Sequence, residues 1–353
     1  MIRLTLRQFR TQALVAAVAL AIVAVVAAVT GPHLVHLYDT EVAHCAAHGD
    51  CQTVTSAFLS SDGPLRTWLG ILVIVVPGLM GIFWGAPLVA RELEAGTYRL
   101  VWTQSVSRTR WLVTKVAVVG AASMIVAGLL SLIVTWWASP LDAATMHVYS
   151  TFDERALVPI GYAAFAFALG VTAGMVIRRV LPAMATTLVL FVAVRLAFTH
   201  FIRPHLASPS VRDLALSPAT VGYGSYNAGP ANLIANPPDV ANAWVYSANI
   251  VGKSGQPISP QYVARACPKL NLGQPSGSQL AGPGHAIREI APQGAQQVLQ
   301  DCLTKVGSSY HLVVTYQPPD HYWSMQWGES AAYIAAALIL VGCSVWWVRK
   351  RLS

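Results

Sequence analysis

Six long apolar stretches determine what this sequence can fold into. Each contains about the 20 apolar residues that a helix needs to cross a bilayer core, and lipid cannot satisfy the backbone of an irregular segment. Only 11% of the residues are charged, against about 25% in soluble domains. We therefore predict an all-α polytopic membrane protein with six transmembrane helices, near residues 13–30, 68–90, 112–138, 157–177, 181–201 and 330–348.

The first apolar stretch follows a basic N-terminus, which is also the pattern of a cleaved signal peptide. Its length and the five spans after it favour an uncleaved first helix. Residues 1–12 alternate basic and apolar positions, which predicts a short helix in the membrane interface. The chain then divides into 13–201 with five spans, an extracellular domain at 202–328, and 329–353 with the sixth span and a cytoplasmic tail.

Lysine and arginine are unevenly distributed between the connections, and this asymmetry predicts orientation. Basic residues cluster beside alternate ends of the spans, at Arg3, Arg7, Arg10, Arg91, Arg99, Arg108, Arg110, Lys115, Arg178, Arg179, Arg349, Lys350 and Arg351. The other short connections carry only Arg66 and Arg155. We therefore predict a multi-pass plasma-membrane protein with both termini in the cytoplasm. The net charge of +8 indicates this orientation and no nucleic-acid partner.

Four of the five cysteines fall in the predicted external segments, Cys45 and Cys51 in the first loop and Cys267 and Cys302 in the large one. Cysteines on the oxidising side of a membrane favour disulfides. Four cysteines allow three connectivities, and we favour Cys45–Cys51 with Cys267–Cys302 because each pair stays within one loop. The fifth, Cys343, lies in the last span.

The segment 202–328 is rich in Pro, Gly, Asn and Ser and is too long for a passive connector. We predict a small loop-rich domain between spans five and six. A helix is expected near residues 287–305 and a strand at His311–Tyr316.

The connection between spans two and three carries the most informative pattern. Arg91, Glu92 and Glu94 predict a short charged helix that continues span two. Gly96 can adopt the left-handed conformation that ends a helix, and Thr97 can cap the next one. Ser105 or Ser107 then caps span three, with Arg108 and Arg110 at the phospholipid level. We call residues 91–110 the bracket, a rigid charged handle suited to a cytoplasmic partner.

The bracket contains the pattern acidic-x-Glu-x-Gly-Thr, formed by Glu92, Glu94, Gly96 and Thr97. About ten residues later come Ser107 and Arg108, and then Lys115. This pattern resembles the motif of type-2 ABC exporter permeases. The resemblance is strongest over 85–115 and extends to the six-span layout. The segment Tyr316–Glu329 and the basic C-terminal end also resemble actinobacterial permeases of this group. Members often have a short connection between spans five and six, so the external domain is a departure.

This resemblance implies that the bracket is the coupling helix, which docks in a groove of a separate ATP-binding subunit. It implies that Arg91, Glu92, Glu94, Gly96, Thr97 and Arg108 form that contact. It also implies a second permease copy, identical or homologous, and ATP and Mg bound by the partner subunit, with no cofactor in this chain. The alternative for the same residues is an ordinary solvated loop beside the membrane.

The chain lacks an ATPase site of its own, as expected of a permease. The segment Ser247–Ser254 approaches a phosphate-binding loop, but Ser247 replaces the first required glycine. No nucleophile elbow, zincin helix or dinucleotide fingerprint occurs. We therefore predict that the chain is not an enzyme.

The first external loop holds a cluster of possible metal ligands, at His33, His36, His44, Cys45, His48 and Cys51. His44 and His48 would share a helical face and, with a cysteine, match zinc or copper ligands. The competing interpretation is a disulfide flanked by solvated histidines. We favour the disulfide and predict no metal, because free thiols are unusual in an oxidising compartment.

Within the spans, Arg195 is the notable charge and a candidate contact for substrate or lipid. The alternative, which we favour, is that it reaches the outer headgroups together with His200 and Arg203. Gly170 and Gly174 predict a close helix contact. Because the spans contain few charges, the predicted substrate is hydrophobic or amphipathic, such as a lipid, peptide, drug or natural product.

Two other function classes stay open. The chain could be a sensor subunit whose external domain binds a ligand and whose bracket regulates an ATPase without transport. It could also be a membrane enzyme with a site in the external domain, where Asp301, Glu289, His285 and His311 are available. No spacing among these four residues suggests catalysis.

Overall fold

The computed structural model describes residues 2–46, 51–61, 63–96, 107–145, 148–224, 232–236, 242–272 and 293–351. They form two compact units, Met1–Ala207 with Asp320–Ser353, and Ser208–Pro319. The first unit contains, within these ranges, six helical segments long and apolar enough to cross a membrane: Thr5–Cys45, Gly63–Glu94, Arg108–Thr145, Val148–Ile177, Val180–His205 and His321–Lys350. The predicted mostly α-helical polytopic class is confirmed, and we call these segments spans one to six.

Spans one, two and five combine α-helix with a π-helical segment, a feature that frequently marks functional positions. The π-helical segments are Tyr38–Val42, Gly81–Gly85 and Phe198–Ile202. The α-helices of this unit are Ile2–Leu37, Ala43–Ala46, Gln52–Ser61, Gly63–Met80, Ala86–Glu94, Arg108–Thr145, Val158–Ile177, Val180–Ala197 and His321–Arg351, with 3-10 helices at Val148–Glu154 and Arg203–His205.

The first α-helix is continuous from Ile2 to Leu37, which differs from the prediction of a separate interfacial helix over residues 1–12. Neither glycine nor proline occurs before Gly31 and Pro32. Residues such as Gln12 and Ala13 favour helix, so nothing in the local sequence ends the helix where its composition becomes apolar.

Span four is the centre of the bundle. It packs against spans two, three, five and six, while span one packs mainly against span three. In its most apolar stretch 72% of the residues are buried, compared with 6% in span one. Phe9, Trp111 and Val348 share one apolar cluster, and we call their end of the bundle the termini end. The opposite end, where Phe58 and Leu141 pack together, is the loop end.

Small residues allow span four to approach span two closely. A Cβ atom added at Gly170 would lie 2.2 Å from the Gly81 carbonyl oxygen, and one added at Gly174 would lie 2.4 Å from the Ala86 carbonyl oxygen. The close contact predicted from Gly170 and Gly174 therefore exists within one chain. Its partner is the π-helical segment Gly81–Gly85 and the turn after it.

The second unit contains more strand than its loop-rich composition predicted. A three-stranded antiparallel sheet has the order β1-β5-β4, and β2 pairs with β3 in a separate hairpin-like ladder. The predicted strand lies within β5, and the described part of the predicted helix begins at residue 293. The strands are β1 Ser210–Leu214, β2 Val221–Gly224, β3 Asn232–Ala235, β4 Trp244–Gly252 and β5 Tyr310–Gln317, and the helices are Pro260–Ala266, Gln293–Val306 and the 3-10 helix Pro268–Leu272.

Two disulfides join the pairs that loop position favoured, Cys45–Cys51 and Cys267–Cys302. Cys267 and Cys302 are 5% and 3% exposed and belong to the apolar core of the second unit. This bridge therefore crosslinks the core itself, tying the end of helix Pro260–Ala266 to helix Gln293–Val306.

Replacing both Cys267 and Cys302 by serine is expected to destabilise the second unit by about 4 kcal/mol. The bond joins residues 35 positions apart, and loop closure of this length removes about that much free energy from the unfolded state. The same double replacement at Cys45 and Cys51, 6 positions apart, is worth only about 2 kcal/mol. Limited proteolysis of the full chain should show rapid cleavage within 208–319 in the first variant and wild-type cleavage there in the second. Equal protease resistance of the two variants would contradict the assignment.

Candidate functional site

The bracket begins as a direct extension of span two. Helix Ala86–Glu94 ends in a turn where the Ala95 N–H donates to the Arg91 carbonyl oxygen at 3.0 Å. Gly96 follows with φ of +69°, the left-handed conformation that the sequence predicted for this glycine. Val89 is fully buried, whereas Arg91 and Glu94 on the following turn are exposed. The charged end of the helix therefore projects beyond the packed bundle.

Glu92 connects the bracket to span three. Its carboxylate forms an ion pair and hydrogen bond with the Lys115 ammonium. Lys115 is only 4% exposed, and its Nζ lies 5.1 Å from the centre of the Trp111 ring. A buried cation of this kind needs its carboxylate, so Glu92 is a fixed part of the bundle.

Glu94 connects the bracket to span five. Its Oε2 accepts a 3.0 Å hydrogen bond from the Val180 N–H, at the first residue of helix Val180–Ala197. The first backbone N–H groups of a helix lack partners within the helix, and a carboxylate is favoured there by the helix dipole. The turn just before contains Arg178 with φ of 59°, which closes span four. One side chain thus ties span two to the connection between spans four and five.

Ser107 begins span three as a cap. Its Oγ accepts from the Arg110 N–H at 3.4 Å and its carbonyl oxygen accepts from the Trp111 N–H at 3.0 Å. Arg108 is the first residue of the helix, and the neighbouring Thr109 hydroxyl accepts a 3.3 Å bond from Arg349 Nε of span six. Of the predicted coupling residues, Thr97 lies outside the described residues, as does Ser105.

A second charged group lies at the loop end, where sequence analysis did not bring its members together. Arg203 donates from Nε to Glu329 Oε2 at 2.8 Å and from Nη2 to Glu329 Oε1 at 2.8 Å. Arg203 is 6% exposed and Glu329 is fully buried. Arg203 also pairs with Asp153. The Tyr162 hydroxyl lies 2.7 Å from a carboxylate oxygen of both Asp153 and Glu329.

Arg195 completes this group, and its position differs from the prediction. Its Nη1 donates to the Ile74 carbonyl oxygen at 3.2 Å, and its Nη2 lies 3.7 Å from Asp153 Oδ2. The guanidinium also stacks over the Tyr162 ring at 4.6 Å. The expected reach of Arg195 and Arg203 to outer headgroups is wrong, because the half-buried Asp153 and the buried Glu329 offer them closer partners. A substrate or lipid contact of Arg195 would have to replace these bonds.

We call this set, Asp153, Tyr162, Arg195, Arg203 and Glu329, the ion cluster. Its two arginines and two carboxylates balance formally, so the group is neutral as a whole. It links the 3-10 helix at the start of span four, the end of span five and the start of span six. The ion cluster therefore stabilises the contacts between these spans through paired charges.

Gln326 supports the same region from one turn away. Its Oε1 accepts hydrogen bonds of 3.2 Å from the N–H groups of Leu157 and Val158, and its Nε2 donates to the Phe152 carbonyl oxygen at 3.0 Å. The spacing of Gln326 and Glu329 places both on one face of a helix. That spacing, together with an arginine at the end of span five, Arg203, is the signal by which the sequence could have revealed the cluster.

The loop end holds a further ion pair, in which Arg155 is buried and Asp142 is half-buried. Arg155 donates to Asp142 at 3.0 Å, with Arg66 3.9 Å from the same carboxylate. The metal-ligand pattern of the first loop is not assembled: among the described residues no group of three or more His, Cys, Asp or Glu side chains is arranged to hold a metal ion. His48 lies outside those residues.

A family model described as ABC-2 membrane transporter related matches residues 17–203, which is more than half of the chain. The matched range runs from within span one nearly to the end of span five, and it includes the bracket and the ion cluster except Glu329. No curated protein and no solved structure matches the chain.

Proposed function

Because this chain belongs to the ABC-2 membrane transporter related family, we propose that it is the permease subunit of an ATP-driven exporter. In this proposal a separate ATP-binding subunit binds ATP and Mg on the cytoplasmic side and docks on the bracket. A second permease copy, identical or homologous, pairs with this one around the translocation route. The termini end then faces the cytoplasm, and the second unit lies outside.

The observation that carries the proposal is the double attachment of the bracket. Glu92 holds it to span three and Glu94 holds it to the start of span five, while the helix itself continues span two. A push on the exposed end of helix Ala86–Glu94 would therefore act on three spans together. This is the mechanical property that a coupling element requires, since ATP binding shifts a two-state equilibrium only through groups that differ between the states.

The substrate in this proposal is hydrophobic or amphipathic. The support is compositional. In the described spans the buried charges have charged partners, at Glu92 with Lys115, at Arg155 with Asp142 and in the ion cluster, which leaves mainly apolar surface for a substrate. Lipids, peptides, drugs and natural products share this chemistry.

The sensor alternative is favoured by one specific observation, the independent core and disulfide of the second unit. A compact external unit is suited to ligand binding. ATP-dependent uptake of amphipathic compounds into inside-out vesicles that contain the complex supports the exporter. Ligand-controlled ATP hydrolysis without uptake supports the sensor.

Reversing the charge at position 94 is expected to release the ATP-binding subunit. We propose co-purification of the tagged chain from gently solubilised native membranes, comparing wild type with Glu94→Arg and Glu94→Gln. Like charges brought together at an interface cost several kcal/mol, so Glu94→Arg should reduce the recovered ATPase by more than about tenfold. Glutamine keeps an oxygen acceptor for the Val180 N–H, so Glu94→Gln separates loss of charge from loss of the helix cap.

The matched control is Glu41→Arg, the same reversal at an exposed residue of the π-helical segment Tyr38–Val42, at the loop end of span one. It should leave the recovered ATPase unchanged. Recovery of no ATPase with wild type in several detergents would contradict the exporter assembly. Equal recovery with Glu94→Arg would contradict the docking site.

A further inference from the structure

An apolar groove of about 560 Å³ runs between spans one, two and five near the termini end, and span three contributes Val126 and Leu130 to its wall. Its walls are built mainly by aliphatic and aromatic side chains, including Ala16, Leu20, Leu72, Leu79, Phe83 and Met184. Among the residues that the structure describes, neither aspartate nor glutamate lines it. The charged pairs described above do not use this surface.

One end of the groove is polar. Thr11, Gln12 and Arg91 line it there, and Gln12 Nε2 donates to the Phe83 carbonyl oxygen at 3.4 Å. That carbonyl belongs to the π-helical segment Gly81–Gly85. The hydrogen bond holds span one beside span two at the polar end.

Arg91 differs from its acidic neighbours in the bracket. Glu92 and Glu94 are engaged with Lys115 and Val180, whereas the Arg91 guanidinium has no ion pair within the described part of the chain. Val180 also lines the groove. Its backbone N–H is the donor that holds the Glu94 carboxylate, and Glu94 itself does not line the groove. The groove therefore presents a positive charge at its polar end.

The length of the groove matches one leaflet. Its lining on span one extends from Thr11 to Val23, which is roughly 18 Å at about 1.5 Å per helical residue. Half of a bilayer core of about 30 Å is roughly 15 Å. A groove that begins at the level of a helix-end arginine and runs this far fits an acyl chain below its headgroup.

Charge adds a second constraint on the occupant. Arg7 and Arg10 are exposed on the turns of span one that precede Thr11, and Arg179 is exposed next to Val180. Basic residues at this level attract anionic headgroups, each contributing about 1 kcal/mol near a charged membrane surface. A zwitterionic headgroup would gain less from them, because its own cation lies beside the phosphate and is repelled by the same arginines.

We propose that this groove binds an anionic phospholipid of the leaflet at the termini end, with one acyl chain between spans one, two and five and the phosphate at Arg91. The site does not depend on the exporter assignment. Because Arg91 lies in the bracket, an occupied groove would link the membrane directly to the segment that the partner contacts. Lipid binding would then stabilise the bracket in the position described here.

The test is native mass spectrometry of the delipidated full chain, titrated with phosphatidylglycerol and with phosphatidylcholine of identical acyl chains. Wild type should bind phosphatidylglycerol about tenfold more tightly, because the choline cation of phosphatidylcholine offsets the attraction of its phosphate to the arginines. Arg91→Gln should reduce that preference about fivefold, and the remainder comes from Arg7, Arg10 and Arg179. The matched control Arg110→Gln removes an exposed arginine at the same end but outside the groove, and should retain the full preference.

A second pair of variants tests the acyl-chain position. Ala16→Trp would fill the groove and should weaken phosphatidylglycerol binding about tenfold. Val18→Trp changes a lipid-exposed position of the same helix outside the groove lining and should have no effect. Glycerol phosphate, which has the anion without chains, should not compete.

Four results would overturn the proposal. The first is equal binding of the two lipids to wild type, and the second is unchanged preference in Arg91→Gln. The third is a dimer that Ala16→Trp separates while lipid binding stays constant, because the groove would then be covered by a second copy. The fourth is effective competition by glycerol phosphate, because binding would then not depend on an acyl chain.

Discussion

Replacement of Gly170 by alanine will remove most of the folded, monodisperse protein from detergent extracts. The added Cβ would lie 2.2 Å from the Gly81 carbonyl oxygen and 2.8 Å from the Ala86 backbone nitrogen. Overpacked cores usually cost about 1–3 kcal/mol because side chains rotate away. Here the obstructing atoms are backbone on a neighbouring span, so span two must move away from span four as a whole. We expect a cost above that range.

The matched control is Gly342→Ala in span six, where an added Cβ meets nothing within 4 Å. Alanine favours helix over glycine by up to about 1 kcal/mol, so this variant should be as stable as wild type or more so. Size-exclusion chromatography after graded heating measures both variants. Comparable melting of Gly170→Ala and Gly342→Ala would show that spans two and four do not pack as described.

Replacement of Glu329 by methionine will destabilise the bundle by about 3–5 kcal/mol, the usual effect of breaking a buried ion pair. The variant leaves Arg203 with Asp153 as its remaining carboxylate and gives the ion cluster a net positive charge away from water. An exposed acid, Asp39, provides the control, because Asp39→Asn should change stability by less than about 0.5 kcal/mol. Equilibrium unfolding in mixed micelles gives the free energies.

The double variant Arg203→Met with Glu329→Met tests whether the loss comes from the unpaired charge. Replacing both members of a buried pair by apolar residues is often neutral or stabilising. The double variant should therefore be more stable than Arg203→Met alone or Glu329→Met alone. Additive losses would contradict a direct interaction between the two residues.

The sequence was sufficient for the spans because their lengths and apolar composition are properties of local segments. The close helix contact at Gly170 and Gly174 could also be predicted, since small residues four apart create a flat helix face. The turn at Gly96 followed from local backbone preference. All three are decided within a few neighbouring residues.

The ion cluster could not be found in the same way. Arg203 and Glu329 lie 126 positions apart, and each alone resembles a charged residue at the end of a span. Their partnership depends on spans five and six meeting beside span four. For the same reason Arg195 was expected to face headgroups, although Asp153 and the Tyr162 ring lie within its reach.

The sheet of the second unit was underestimated for a different reason. Strand β1 has only intermediate or exposed residues, so it lacks the alternation of buried and exposed positions that identifies a half-buried strand. Strand β5 shows that alternation more clearly, with buried Leu312, Val314 and Tyr316. It was the strand that could be predicted. Pairing with β5 then defines β1 and β4, and that pairing is a non-local property.

The bond between Arg203 and Glu329 has an evolutionary consequence. One residue stands just before the second unit in the chain and the other just after it, and both belong to the membrane bundle. A segment inserted between Arg203 and Glu329 is therefore attached to two positions of the bundle that are already bonded to each other. Domains with adjacent ends are the ones that tolerate insertion and exchange. The second unit is therefore a replaceable module, and its fold can diversify without any change in the spans that carry it.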